Sequence, residues 1–266
     1  MSEALTLVGI GTAVALGTMA VVWFISERIG NAGIVDVAWS GIFALLAAIY
    51  GLMGSGAVLQ RVAAAGMMII WSVRLTAHLW KRNVGNLDVE DPRYAKLREK
   101  WGSSAPMKML LFFQFQGVTN VLLSIVILVS CLNPAVSLAP VQWAGIILWI
   151  IALAGESVAD AQLKRFKSEP SNSGKVMNKG LWRYSRHPNY FFEWLVWVAW
   201  FLFALDLPWG WLTIYAPLLM LWFLYKVTGI PATEKHSLES RGEAYRRYQE
   251  TTSPFIPWFP RRETSK

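Results

Sequence analysis

Residues 189–226 read NYFFEWLVWVAWFLFALDLPWGWLTIYAPLLMLWFLYK. Two apolar runs, 189–205 and 209–226, are separated only by the corner Asp206-Leu207-Pro208. Each run approaches the roughly 20 apolar residues that carry a helix across a bilayer. Lipid offers no partner to backbone N–H and C=O groups, so apolar runs of this length are helical. A three-residue corner then predicts a tight antiparallel hairpin of two spans.

The same pattern recurs toward the N-terminus, with predicted spans at 5–25, 34–53, 57–80, 109–131 and 139–159. The chain is 55% hydrophobic and 16% charged, whereas a soluble domain is about a quarter charged. The predicted fold class is therefore all-α, a multi-pass membrane protein with seven transmembrane helices. Several of its tryptophans stand near span ends (Trp23, Trp80, Trp143, Trp209, Trp211), where indole rings sit at headgroup level. Gly9 and Gly11 fall inside the first span with no preceding strand, so they read as small residues for helix packing and not as a dinucleotide fingerprint.

The basic residues fix a topology. Of 25 Lys and Arg, 23 fall in the segments 26–33, 81–108, 160–188 and from 226 onward; the alternate connections 54–56, 132–138 and 206–208 carry none. Seven spans place all 23 on one face. The positive-inside rule makes that face cytoplasmic, with the N-terminus outside and the C-terminus cytoplasmic. The net charge of +8 is then topogenic, and no nucleic-acid partner is expected. The expected location is an integral, multi-pass position in a membrane, the inner one for a bacterial cell. The single cysteine, Cys131, excludes an intrachain disulfide. Glu3 stands where a secretory signal would be basic.

Ionisable and amide side chains inside spans are costly and mark function or pairing. Here they share one depth, the cytoplasmic half: Asp36, Arg74, His78, Gln114, Gln116, Asn120, Glu156, Asp160 and Glu193. Trp71, Arg74, His78 and Arg82 are spaced to share one helix face, as are Glu156, Asp160, Lys164 and Lys167, and Asn189 lies one turn before Glu193. Such stripes suit a ligand with polar and anionic parts. Each residue also has a plainer reading: Arg74 with Asp36 as a structural ion pair, His78 as an interfacial group, Gln116 and Asn120 as interhelical hydrogen bonds, and Lys164 and Lys167 as a solvated face.

The stretch Asn178-Lys-Gly-Leu-Trp-Arg183-Tyr184-Ser-Arg186-His187-Pro188-Asn189-Tyr190-Phe-Phe-Glu193 follows Asp160 to Lys167 and precedes Glu234 and Gly242-Glu-Ala-Tyr245-Arg-Arg-Tyr248. Together these resemble the steroid 5α-reductase family, and its bacterial branch most. The resemblance covers 156–259 well and the N-terminal half more loosely. It implies a single membrane-embedded domain over 1–266, with 1–131 on the substrate side and 139–259 binding NADPH, which enters from the cytoplasm. It implies reduction of a conjugated C=C bond in a lipophilic substrate. By motif match, Asn189 and Glu193 would hold the nicotinamide carboxamide, and Glu156, Asp160, Lys164 and Lys167 the adenosine-diphosphate side. Arg183, Tyr184, Arg186, His187 and Tyr190 would close over the cofactor, completed by Glu234, Tyr245 and Tyr248. No metal is implied.

The sequence departs from that family in two places: Glu156 stands where the family commonly has Asn, and the third span lacks a Tyr. Steroid-reducing members use a Tyr on the third helix with a nearby carboxylate; here Trp71 stands near that position, and the one Tyr of the first three spans, Tyr50, lies at the outer end. The candidate catalytic donors are therefore His78 and Asp36, with Arg74 setting their charge state. A membrane methyltransferase using S-adenosylmethionine, of the isoprenylcysteine or phospholipid type, is the competing enzyme, because it shares the Arg-His-Pro-x-Tyr core. Its usual Glu-Glu pair is Thr233-Glu234-Lys235 here, and the Lys164 and Lys167 stripe has no role with a ligand that lacks phosphate. A transporter using Asp36, Arg74 and His78 as a path would need polar residues in the outer halves of the spans, where they are nearly absent.

Overall fold

The structure is a computed structural model that describes residues 2–83, 89–227 and 229–261. The described residues are helical, with no strand. Among the described residues, six segments are long and apolar enough to cross a membrane: Ser2–Ile29, Ile34–Met53, Val58–Lys81, and portions of Pro92–Cys131, Pro140–Ser168 and Gly210–Thr251. A further apolar helix, Pro188–Ala204, has 17 residues, the lower end of the spanning range. The protein is an integral multi-pass membrane protein. Large apolar side chains such as Leu52, Val58, Val62, Leu111 and Ile147 are exposed, as an outer surface in contact with lipid requires.

The chain forms two compact units, 1–139 with 207–210 and 140–206 with 211–266. The first contains α1 (Ser2–Ile29), α2 (Ile34–Met53), α3 (Val58–Asn83), α4 (Pro92–Trp101) and α5 (Ala105–Cys131). Its core is aromatic and thioether-rich. Phe43, Trp71, Phe113, Met19, Met68 and Met109 are fully buried, and Trp71 meets Phe43 edge-on with ring centroids 5.5 Å apart. Trp71 is thus a packing residue. Polar side chains tie the spans where lipid offers no alternative partner: Asn120 Nδ2 donates to Trp39 O at 2.9 Å, and Tyr50 Oη lies 3.2 Å from Ser124 Oγ. Gly11 packs beneath the Tyr50 hydroxyl, the small-residue contact read from its position.

Helix α4 has no apolar signature. It starts because Asp91 caps it, accepting from Arg93 N at 2.9 Å, and Pro92 occupies the first turn, where its missing N–H is harmless. Arg98 fastens it by bridging Glu27 at 2.8 Å and Glu90 at 2.9 Å.

The second unit contains α6 (Pro140–Ser168), α7 (Pro188–Ala204), α8 (Tyr215–Trp222) and α9 (Ile230–Thr251), the last broken at Gly242. Between α7 and α8 the chain turns through the expected corner and resumes helically at Gly210. Helices α6 and α7 touch at backbone level: a Cβ on Gly145 would lie 2.9 Å from Ala199 O. Trp197, Trp200 and Phe203 fill the core of this unit.

Candidate functional site

In the second unit, α6 presents Glu156 and Asp160 one turn apart, and α7 presents Asn189 and Glu193 one turn apart. The structure brings these two rows together: Asn189 Nδ2 donates to Asp160 Oδ1 at 3.2 Å. Glu193 is 7% exposed and accepts from Trp197 Nε1 at 3.1 Å. Glu156, 4% exposed, lies a turn deeper on α6, and Lys164 and Lys167 are exposed farther along that helix. The row offers carboxylate acceptors, one amide with both donor and acceptor capacity, and then cations. Pro188 in the first turn of α7 leaves Asn189 among the N–H groups that a helix start does not satisfy internally.

The loop before α7 is anchored to α6. Trp182 Nε1 donates to Ala159 O at 3.0 Å, and Leu181 N donates to Gln162 Oε1 at 3.0 Å. Gly180 makes this possible: its φ is +59°, and a Cβ there would fall 2.6 Å from Gln162 Oε1.

Arg186 then turns inward. Its Nε lies 2.7 Å from Glu234 Oε1, and its NH1 donates to Gln249 O at 2.8 Å and Thr252 O at 2.7 Å. His187 Nε2 lies 3.3 Å from the same carboxylate oxygen, and its ring stacks on Tyr190 with centroids 5.3 Å apart. Gln249 Nε2 donates to Glu234 Oε2 at 2.9 Å. Burial alone would raise the Glu234 pKa; the hydrogen bonds and charge of His187 and Arg186 outweigh it and lower it to about 2. With Arg186 8% and His187 2% exposed, the arrangement is a buried clamp.

The tyrosines belong to the same clamp. Tyr248 Oη donates to Trp182 O, and Tyr245 meets the Tyr248 ring edge-on at 5.8 Å. Burial pushes Tyr245 up to about 12 and Tyr248 higher still, so both stay protonated donors. Tyr184 O accepts from Trp258 N at 2.8 Å. The described contacts of Arg186, His187 and Tyr248 thus fasten the C-terminal segment to the α6–α7 loop, and Tyr245 packs against Tyr248 within α9. Arg183, by contrast, is exposed.

In the first unit, Asp36 opens α2 and accepts from Tyr94 Oη at 2.6 Å and Arg93 NH2 at 2.7 Å. Both partners sit on α4, which the sequence reading treated as a topogenic loop. Their signal was the Asp91-Pro92 helix start. In this geometry Asp36 is the acceptor and Tyr94 the donor. Burial, and then the Asp36 carboxylate beside it, push Tyr94 well above the usual phenol range, so the phenol is a neutral proton donor. Arg74 and His78 are half-buried on α3; Arg82, the last member of their stripe, has its side chain outside the described residues.

The chain is 28% identical over 271 residues to an uncharacterized protein of Schizosaccharomyces pombe, covering 89% of this chain and 76% of the relative. No solved structure matches it. A family profile described as "Protein of unknown function (DUF1295)" matches residues 22–252, and the chain belongs to that family, which lies within the steroid 5α-reductase-like superfamily.

Proposed function

We propose that the protein is an NADPH-dependent membrane reductase acting on the conjugated C=C bond of a lipophilic enone, such as a 3-oxo-Δ4-steroid or a related polycyclic or isoprenoid molecule. The observation that carries this reading is the hydrogen bond between Asp160 and Asn189 with Glu193 one turn away, in a chain of this superfamily. A nicotinamide carboxamide has one acceptor and two donors, and the amide and carboxylates of this row are the complementary set. Lys164 and Lys167, continuing along α6, are cations suited to phosphate oxygens.

When bound, NADPH would provide the hydride for such a reduction. As the hydride arrives, negative charge grows on the conjugated oxygen, where a fixed donor is most effective. Tyr94 is our candidate for that donor, in place of His78 or Asp36. Its one proton is directed at Asp36, whose other oxygen Arg93 holds, so a neutral phenol stands beside a compensated carboxylate. The α-carbon then takes a proton delivered from solvent. Arg74 and His78 are assigned to the substrate side with Asp36.

Calorimetric titration of detergent-purified protein tests the cofactor half. NADPH should bind, and Asn189→Ala and Glu193→Ala should each weaken it by roughly tenfold or more while keeping wild-type helicity. Unchanged NADPH binding in both variants would remove the site. Binding of S-adenosylmethionine in place of NADPH would turn the assignment to a methyltransferase.

A further inference from the structure

After α9 the chain folds back on itself: Arg261 N donates to Thr251 O at 2.8 Å and closes a compact loop over 251–261. Loops with adjoining ends and their own packed side chains are frequently functional. Three hydrogen bonds hold this one to the segment before α7. Arg186 N donates to Ser253 O at 2.8 Å, Trp258 N to Tyr184 O at 2.8 Å, and Ser185 Oγ to Phe255 O at 2.7 Å.

Residues 253–260 read SPFIPWFP, without one charged side chain. Phe255 points inward and is 2% exposed, whereas Ile256, Trp258 and Phe259 are 58%, 69% and 76% exposed. Three large apolar side chains offered together by one short loop mark a contact surface. The inward residue gives its depth. The Phe255 ring lies 5.7 Å from Phe191 and 5.9 Å from Trp194, in the first two turns of α7, and 5.1 Å from Tyr225. Tyr225, Trp222 and Val227 are themselves exposed near the end of the last apolar run, so the loop continues a lipid-facing surface. It stands level with the start of an apolar helix and not out in water.

Irregular backbone does not belong in hydrocarbon, where its N–H groups would go unpaired. The headgroup layer tolerates it, the more so because Pro254, Pro257 and Pro260 have no N–H. Trp is enriched in that layer, and Arg261, exposed beside Pro260, supplies a cation for headgroup phosphates. We propose that residues 256–259 are an interfacial anchor: Ile256, Trp258 and Phe259 insert into the headgroup layer of the bilayer that the spans cross, at the end where α7 begins. The occupant of the patch is lipid, and through Tyr184, Ser185 and Arg186 the anchor holds the start of α7 at the membrane surface. This contact does not depend on the reaction assigned above.

The test places the full chain in nanodiscs, one copy per disc, with a polarity-sensitive fluorophore on Trp258→Cys, on Ile256→Cys or, as a water-facing reference on α9, on Glu243→Cys. All three positions are exposed, so the label does not disturb the core. Cys131 is fully buried, and wild type sets the labelling background. The discs are phosphatidylcholine, with or without a nitroxide on the acyl carbons nearest the headgroup. At 256 and 258 the emission should shift to the blue and lose most of its intensity to the nitroxide lipid; at 243 it should do neither. Either position decides alone if the other variant does not fold. Emission like that at 243 would leave the patch to water, or to a second copy absent from these discs. A blue shift without nitroxide quenching would assign it to another part of the chain. Each of these results overturns the anchor.

Discussion

The Tyr94 phenol donates to one oxygen of Asp36 at 2.6 Å while Arg93 holds the other at 2.7 Å. A phenol kept neutral beside a compensated carboxylate is a ready donor, whereas a carboxylate already accepting two bonds is not. Tyr94→Phe removes the donor and leaves the ring. With a confirmed enone substrate, it should lower kcat by about 10²–10³ and leave NADPH affinity unchanged. Single-turnover NADPH oxidation gives both values. A wild-type rate would return His78 to the role.

Glu234 neutralises a guanidinium that is almost fully buried. Removing one member of such a pair leaves the other uncompensated, at a cost of about 3–5 kcal/mol in a deep interior and less here, because Glu234 keeps 16% of its side chain exposed. Glu234→Ala should therefore lower Tm by several degrees, and Arg186→Lys should do so as well, because one ammonium cannot reach Glu234, Gln249 O and Thr252 O together. Melting curves in detergent decide this. If both variants melt like wild type, the clamp does not hold the C-terminal segment.

The same carboxylate sets a pH dependence. Its folded pKa, about 2, is depressed from the ordinary 4.5, so the unfolded state binds the proton more readily. The stabilisation is complete above the unfolded value and is lost as pH falls from 4.5 toward 2. The Tm difference between wild type and Glu234→Gln should be constant near neutrality and shrink below about pH 4.5. A difference that does not change across that window would show that Glu234 is not the titrating group.

The sequence made the spans legible because apolar length and basic-loop segregation are local properties. Helix α2 begins and ends where the apolar run does, at Ile34 and Met53. The α6–α7 partnership was legible in part: equal depth and helical spacing put Asp160 and Asn189 in the same stratum, and the structure joins them. Neither property could reveal Tyr94. It lies 58 residues from Asp36 on a polar helix, and its position depends on ion pairs from Arg98 to Glu27 and Glu90. The direction of Arg186 was equally hidden. A basic motif reads as ligand-facing until the carbonyls of Gln249 and Thr252 are seen to receive it.

Gly145 and Gly155 separate packing from the candidate site. A Cβ on Gly145 would meet backbone atoms, Ala199 O at 2.9 Å and Phe203 N at 3.0 Å, and backbone cannot move aside as a side chain can. Gly145→Ala should destabilise the second unit by about 1–3 kcal/mol, read by unfolding in a denaturing detergent. A Cβ on Gly155 would instead strike the Phe192 ring, a side chain next to Glu193 and close to Asn189 on α7. Gly155→Ala should disturb the Asp160–Asn189 contact more than the global fold, so NADPH affinity falls while Tm changes less than in Gly145→Ala. Gly9 has nothing within 4 Å of its would-be Cβ, and Gly9→Ala should be neutral or stabilising by up to about 1 kcal/mol. If Gly145→Ala is as benign as Gly9→Ala, the close backbone approach of α6 and α7 is incorrect, and the pairing of Asp160 with Asn189 loses its frame.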